Sequence, residues 1–151
     1  MPFVRGVDSA THTRGDTVSM NEPIRIILVD DQSSVRRGLK MRLQLEPDIM
    51  VVGEAEDGES ALRATADLEP DVMVLDYEMP GMDGIETAQA LTSANSPVSV
   101  VMLSIHDTQV AKSAAAKAGA HAFIAKHEPS EHLLAAIRAA AAQARQKGNP
   151  P

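Results

Sequence analysis

The chain has 151 residues, of which 44% are hydrophobic and 23% are charged; these fractions are typical of globular proteins and exclude wholesale disorder and collagen-like or coiled-coil composition. Acidic residues outnumber basic ones by 21 to 14, and this net charge of −7 disfavours a surface that follows nucleic-acid phosphates. Cysteine is absent, which excludes disulfides and thiolate chemistry. With one Tyr, two Phe and no Trp, the core must be aliphatic.

The composition along the chain predicts one folded domain between two tails. Residues 1–22 are polar and aperiodic, which predicts a flexible N-terminal tail, and Met20 is an alternative start. We expect the domain at residues 23–146 and a C-terminal tail at 147–151. Because residues 1–20 lack a signal-peptide apolar core and no apolar run is long enough to span a bilayer, the expected location is cytoplasmic.

Five aliphatic runs alternate with five helical patterns. Near-continuous β-branched and aliphatic residues predict buried parallel strands at 24–30, 49–55, 72–76, 98–104 and 120–126. Val35, Leu39 and Leu43 share one face of the first helix, and Pro70 stops the second. The other helices are expected at about 84–93, 108–118 and 130–146. This alternation predicts an α/β doubly wound parallel sheet with helices on both faces.

Polar residues stand at the carboxyl ends of four predicted strands, where ligands bind in open α/β sheets. Any one of them alone is more often a turn, cap or solvated residue, but joint placement at four strand ends is not required by turn chemistry. They are Asp30 and Asp31 after the first strand, Asp76 after the third, Ser104 after the fourth and Lys126 after the fifth.

The clustered carboxylates require a positive charge. At an effective dielectric constant of about 20, two carboxylates about 4 Å apart repel by about 4 kcal/mol. Two groups could offset this repulsion: the Lys126 ammonium, and a hard divalent ion such as Mg²⁺, which binds carboxylates and phosphate oxygens together. The pattern therefore favours phosphoryl chemistry.

Four segments resemble the receiver domain of two-component response regulators. They are ILVDDQ (27–32), VMVLDYEMPGMDG (72–84), VVMLSIHD (100–107) and AHAFIAKHEPSEHLLAAIR (120–138). The His-Asp after Ser104, and His rather than Pro after Lys126, make the chain more similar to receivers of the NarL/FixJ type. The resemblance implies a flavodoxin-like, five-stranded parallel sheet of order 2-1-3-4-5 with five helices.

The resemblance also implies residue roles at the phosphorylation site. Asp76 would be the phosphoacceptor, and Mg²⁺ or Mn²⁺ would be held by Asp30, Asp31, Asp76 and the backbone carbonyl of Glu78. Lys126 would pair with a phosphoryl oxygen. No other cofactor is expected.

A switch is implied as well. Ser104 would hydrogen-bond the phosphoryl group, and Phe123 would turn inward behind it. The predicted fourth helix has an inner face of small residues with Val110 as its larger aliphatic, which indicates a mobile helix: Ala111, Ala114, Ala115 and Ala118. Glu78 and His106 flank the site and either orient water for hydrolysis or face solvent.

The function expected from the resemblance is a signalling switch rather than an enzyme, although one that catalyses its own phosphorylation and dephosphorylation. Its partners would be a sensor histidine kinase or a phosphotransfer protein of a phosphorelay, and a downstream protein. A homodimer would form through the fourth helix, fifth strand and fifth helix, and direct nucleic-acid or membrane binding is not expected.

Three alternatives remain open. Since the chain stops at Pro151 without a helix-turn-helix domain, it is either a stand-alone receiver or the receiver part of a truncated DNA-binding transcriptional regulator. A Mg²⁺-dependent phosphatase of the haloacid-dehalogenase type would carry Asp-x-Asp-x-Thr after the first strand, where this chain has Asp30-Asp31-Gln32. The third alternative is an inactive pseudo-receiver scaffold.

Overall fold

The computed structural model describes residues 22–148, so residues 1–21 and 149–151 of the two predicted tails lie outside the described residues. Strands and helices alternate along the chain. They are β1 (Ile24–Val29), α1 (Ser33–Leu43), β2 (Ile49–Ala55), α2 (Gly58–Leu68), β3 (Val72–Asp76), α3 (Gly84–Ser93), β4 (Ser99–Ser104), α4 (Gln109–Lys117), β5 (Ala122–Ala125) and α5 (Ser130–Gly148).

The five strands form one parallel sheet in the order β2-β1-β3-β4-β5. This order confirms the predicted flavodoxin-like fold. The register places Asp76 on β3 opposite Leu103 on β4, and Ser104 on β4 opposite Ala125 on β5. Because all strands run the same way, their carboxyl ends meet at one edge of the sheet.

Alternate residues of each strand pack against opposite faces of the sheet, as strand geometry requires. On β1, Leu28 joins the core beneath α1 and α5, whereas its neighbour Ile27 joins the core beneath α2, α3 and α4. β1, β3 and β4 are therefore buried on both faces, which explains their near-continuous hydrophobic sequences.

Side-chain caps explain where three helices begin. The carboxylates of Asp57 and Asp83 and the hydroxyl of Thr108 each accept a hydrogen bond from a backbone N–H in the first turn of α2, α3 and α4. At the other end of the domain, α5 continues to Gly148, two residues past its predicted end. Arg145 and Lys147 in its last turn complement the negative end of the helix dipole.

α4 is attached to the sheet by small side chains. Ala111, Ala115 and Ala118 are buried. The prediction that Val110 lies on this inner face is wrong, since the residue is 79% exposed. Val110 precedes Ala111 by one residue, about 100° around the helix, and this rotation turns it toward solvent. α4 therefore buries only methyl groups.

None of the helices in residues 22–148 combines the length and hydrophobicity of a membrane-spanning segment.

Candidate functional site

Three aspartates converge at the carboxyl edge of the sheet. Asp30 and Asp31 follow β1, Asp76 ends β3, and these two strands are hydrogen-bonded neighbours. One carboxylate oxygen from each of the three lies within 4.8 Å of the others. Asp30 and Asp76 are buried, whereas Asp31 is exposed. The cluster therefore presents two fixed carboxylates and one that faces the solvent.

Lys126 reaches this cluster from the end of β5. Its Nζ lies 3.1 Å from Asp30 Oδ2 and 3.3 Å from Asp76 Oδ1. The backbone N–H of Lys126 donates to the Ser104 carbonyl at 2.8 Å, so the ladder between β4 and β5 extends to this residue. One ammonium thus bridges the two buried carboxylates and offsets part of their repulsion.

The electrostatics of the site raise the pKa of Asp76 to about 6, first because the carboxyl is buried and then because Asp30 is negatively charged. The charge of Lys126 and a 3.3 Å hydrogen bond from the Glu78 N–H oppose this rise. Burial acts to lower the pKa of Lys126, but its bonds and charge interactions with Asp30 and Asp76 outweigh burial and raise it. At neutral pH the Asp76 carboxyl is mostly ionised, because the pH lies about one unit above its pKa.

The donors in the cluster fit a hard divalent cation. Asp30, Asp31 and Asp76 are the group of residues in the described part of the chain whose oxygens come close enough to share an ion. Mg²⁺ prefers oxygen ligands and is usually held by one or two carboxylates together with water. The exposed position of Asp31 leaves one side of the cluster open to solvent.

The loop after β3 and the loop after β4 are joined by a contact between Glu78 and His106, two residues whose pairing the sequence does not predict. His106 Nε2 lies 2.7 Å from Glu78 Oε2, and both side chains are half exposed. The His106 backbone N–H donates to the hydroxyl of Ser104 at 2.9 Å, and Ser104 is fully buried. Residues on separate loops give no sequence signal of contact. The metal-ligand role of the Glu78 carbonyl stays a prediction.

The two aromatic rings in the described residues pack against each other. Tyr77 follows the candidate phosphoacceptor, Phe123 lies on β5, and their ring centroids are 6.2 Å apart with an interplanar angle of 79°. This edge-to-face arrangement is a favourable aromatic geometry. Phe123 is half-buried. An inward turn of Phe123 would therefore change its contact with the residue next to Asp76.

Gly84 brings α3 close to the end of β3. A Cβ at this position would overlap the carbonyl oxygen of Asp76 and lie 2.9 Å from Tyr77 Cα, and both are backbone atoms. The Gly84 N–H donates to the Tyr77 carbonyl at 3.1 Å. The motif after β3 thus requires glycine for a close backbone approach.

Comparison with known proteins agrees with this geometry. The family model of the response regulator receiver domain matches residues 26–138. Over 125 residues the chain is 38% identical to the nitrate/nitrite response regulator protein NarL of Escherichia coli K12, a match that covers 83% of this chain and 58% of that protein. A protein-glutamate methylesterase/protein-glutamine glutaminase of Moorella thermoacetica is 46% identical over 117 residues, but only 27% of its length is matched.

A solved structure shows the same fold. The signal receiver domain of NarL from Mycobacterium tuberculosis superposes with a TM-score of 0.77 at 36% sequence identity, covering 80% of this chain and 98% of that chain. By contrast, the chain spans little more than half of the Escherichia coli relative. The chain belongs to the response regulator receiver domain family, whose members are the phosphorylation-dependent signalling domains of two-component systems.

Proposed function

We propose that Asp76 accepts a phosphoryl group from a phosphohistidine of a sensor kinase or phosphotransfer protein. The observation that carries this proposal is the position of Lys126 Nζ, which lies within 3.3 Å of a carboxylate oxygen of both Asp30 and Asp76 at the edge of the acidic cluster. In the transfer, an Asp76 carboxylate oxygen bonds to phosphorus while the phosphorus–nitrogen bond to histidine breaks. The product is an aspartyl-phosphate.

Asp76 needs no general base. With a pKa of about 6, most of its carboxyl is ionised at pH 7.5 and is already a nucleophile. Lys126 is placed to transfer one of its contacts from Asp76 to a phosphoryl oxygen, where charge develops in a loose transition state. A Mg²⁺ or Mn²⁺ ion held by Asp30, Asp31, Asp76 and the Glu78 carbonyl would supply further positive charge to the phosphoryl oxygens.

The signal would pass through Ser104. A phosphoryl group adds about −1.5 to −2 charge and three acceptors, so we expect the Ser104 hydroxyl to turn toward it as a donor. In the resting geometry that hydroxyl accepts from the His106 N–H, and the turn would release the loop that leads to α4. Phe123 would then move inward, and the weakly held α4 would shift.

We infer that the output is a change in protein–protein affinity on the surface formed by α4, β5 and α5, through a downstream partner or a homodimer. Val110 lies on α4, and Ile105 lies in the loop before it. Both are exposed apolar residues that such a contact would bury. Since the Escherichia coli relative is longer than the matched segment, an attached DNA-binding domain is the alternative route of output.

Incubation with Mg²⁺ and acetyl phosphate, followed by intact-mass measurement, tests the phosphoacceptor. We expect a phosphoryl adduct on the wild type and none on Asp76→Asn. Asp67→Asn, a change of an exposed aspartate on α2, is the matched control and should be phosphorylated like the wild type. No adduct on the wild type would favour a scaffold without phosphorylation, and rapid turnover of diverse phosphoesters would favour a phosphatase.

A further inference from the structure

The turn between β5 and α5 holds the backbone from which Lys126 projects. β5 is an edge strand of the sheet. The N–H of Lys126 points inward to the Ser104 carbonyl on β4, so the N–H of the preceding residue, Ala125, points to the open edge. Ala125 is nevertheless buried, with 1% of its surface exposed. Its N–H therefore needs a partner from outside the sheet.

Glu128 supplies that partner. Its Oε2 accepts a 2.7 Å hydrogen bond from the Ala125 N–H, and the Glu128 N–H donates to the Ala125 carbonyl at 3.0 Å. These two bonds close the four-residue turn that contains Lys126. A carboxylate bonded to a backbone N–H makes a stronger hydrogen bond than a neutral acceptor would.

The carboxylate is itself oriented from α5. Glu128 Oε1 lies 2.7 Å from Nδ1 of His132 in the first turn of that helix. The bonds of both its oxygens connect the open edge of β5 with α5, and they lower the pKa of Glu128, the contact with His132 contributing most. The carboxylate is thus charged and fixed in position near neutral pH.

We propose that Glu128 is a positioning residue for Lys126: by holding the Ala125 N–H at the sheet edge, it fixes the backbone that carries the ammonium to Asp30 and Asp76. This inference rests on the proposed function of Lys126. Without the carboxylate, the end of β5 opens at its free edge, and the ammonium spends less time between the two aspartates. The stem of Lys126 is then held from the Ser104 side alone.

The first experiment compares Glu128→Ala with Glu128→Gln, because the Gln amide oxygen still accepts from the Ala125 N–H. With acetyl phosphate and Mg²⁺, we expect Glu128→Ala to be phosphorylated about tenfold more slowly than the wild type, the effect typical of removing an orienting group. Glu128→Gln should recover most of the rate. Glu131→Ala, which removes an exposed carboxylate from the first turn of α5, should not slow the reaction.

A double-mutant cycle separates positioning from a general structural effect. In a Lys126→Ala background, Glu128→Ala should cause no further loss of rate, because its effect passes through the lysine. An equal loss in both backgrounds would overturn the proposal, as would a Glu128→Gln variant as slow as Glu128→Ala.

Two NMR signals report on the contact without any phosphorylation. In Glu128→Ala, the Ala125 amide should exchange with solvent at least about tenfold faster, and the Lys126 ammonium signal should weaken as its protons exchange faster. If the wild type takes no phosphoryl group, the proposed function fails, and these two signals alone decide whether Glu128 positions Lys126. Unchanged signals in Glu128→Ala would refute the positioning role.

Discussion

Replacement of Asp76 by Asn should stabilise the protein without divalent ions, and the stabilisation should depend on pH. The carboxyl of Asp76 has a pKa of about 6 in the folded protein, against 3.8 for an unperturbed aspartate. The folded state therefore binds this proton more tightly than the unfolded state does. The stability that the neutral carboxyl contributes is fully present below pH 3.8 and is lost as the pH rises through about 6.

The difference between the pKa of Asp76 in the folded and unfolded states sets the size of the expected stabilisation. A change of about two pKa units corresponds to about 3 kcal/mol, which is the free energy of unfolding that the wild type loses once Asp76 is ionised. Asn has the shape of the neutral acid and carries no charge to bury. Lys126 keeps its contact with Asp30 in the variant. We expect Asp76→Asn to be more stable than the wild type by about 2–3 kcal/mol at pH 7.5 and by about 1 kcal/mol at pH 4.5.

Urea denaturation at several pH values with a chelator present measures this difference. Asp48→Asn is a control that should destabilise the protein at pH 7.5. Hydrogen bonds from Arg138 lower the pKa of Asp48, so the stability that the ionised Asp48 contributes is lost as the pH falls. Mg²⁺ should stabilise the wild type and leave Asp76→Asn nearly unchanged. An Asp76→Asn variant that is less stable than the wild type at pH 7.5, or a pH-independent gap, would refute the electrostatic reasoning.

Three further substitutions test the surroundings of the site. Gly84→Ala should destabilise the protein by about 2 kcal/mol or more and abolish phosphorylation, because the added Cβ overlaps the Asp76 carbonyl. Urea denaturation measures the loss of stability, and intact mass measures phosphorylation. Normal phosphorylation of the variant would contradict this prediction. Phe123→Ala removes the ring packed against Tyr77 and should leave phosphoryl uptake largely intact while weakening the phosphorylation-dependent change in partner binding or in mass by light scattering. His106→Ala breaks the half-exposed pair with Glu78, so the free energy of unfolding should change by less than about 1 kcal/mol. The rate at which the phosphoryl adduct decays, followed by intact mass, should change. An unaltered decay rate would show that the pair has no part in hydrolysis.

The sequence was a sufficient guide to the fold because the signals were local. Aliphatic runs such as 72–76 mark strands buried on both faces, and polar residues directly after them must meet at the carboxyl edge of a parallel sheet. The gathering of Asp30, Asp76 and Lys126 follows from that rule.

The sequence pattern does not predict contacts between loops or small rotations of helices. The pairing of Glu78 with His106 depends on how two loops of irregular backbone approach each other, which no periodicity describes. The orientation of Val110 depends on a one-residue difference in helical phase. The role of Glu128 arises because β5 is an edge strand with an N–H that faces outward, a fact of strand order rather than of local sequence.

The methyl-only attachment of α4 bears on how such a domain diversifies. Its outward side chains, among them Lys112, Ser113, Ala116 and Lys117, are exposed. Substitutions at exposed positions usually change stability by less than about 0.5 kcal/mol. This surface can therefore accumulate changes without disturbing Asp76 or Lys126. If α4 binds the output partner as proposed, partner choice and phosphoryl chemistry would be free to vary independently within one small domain.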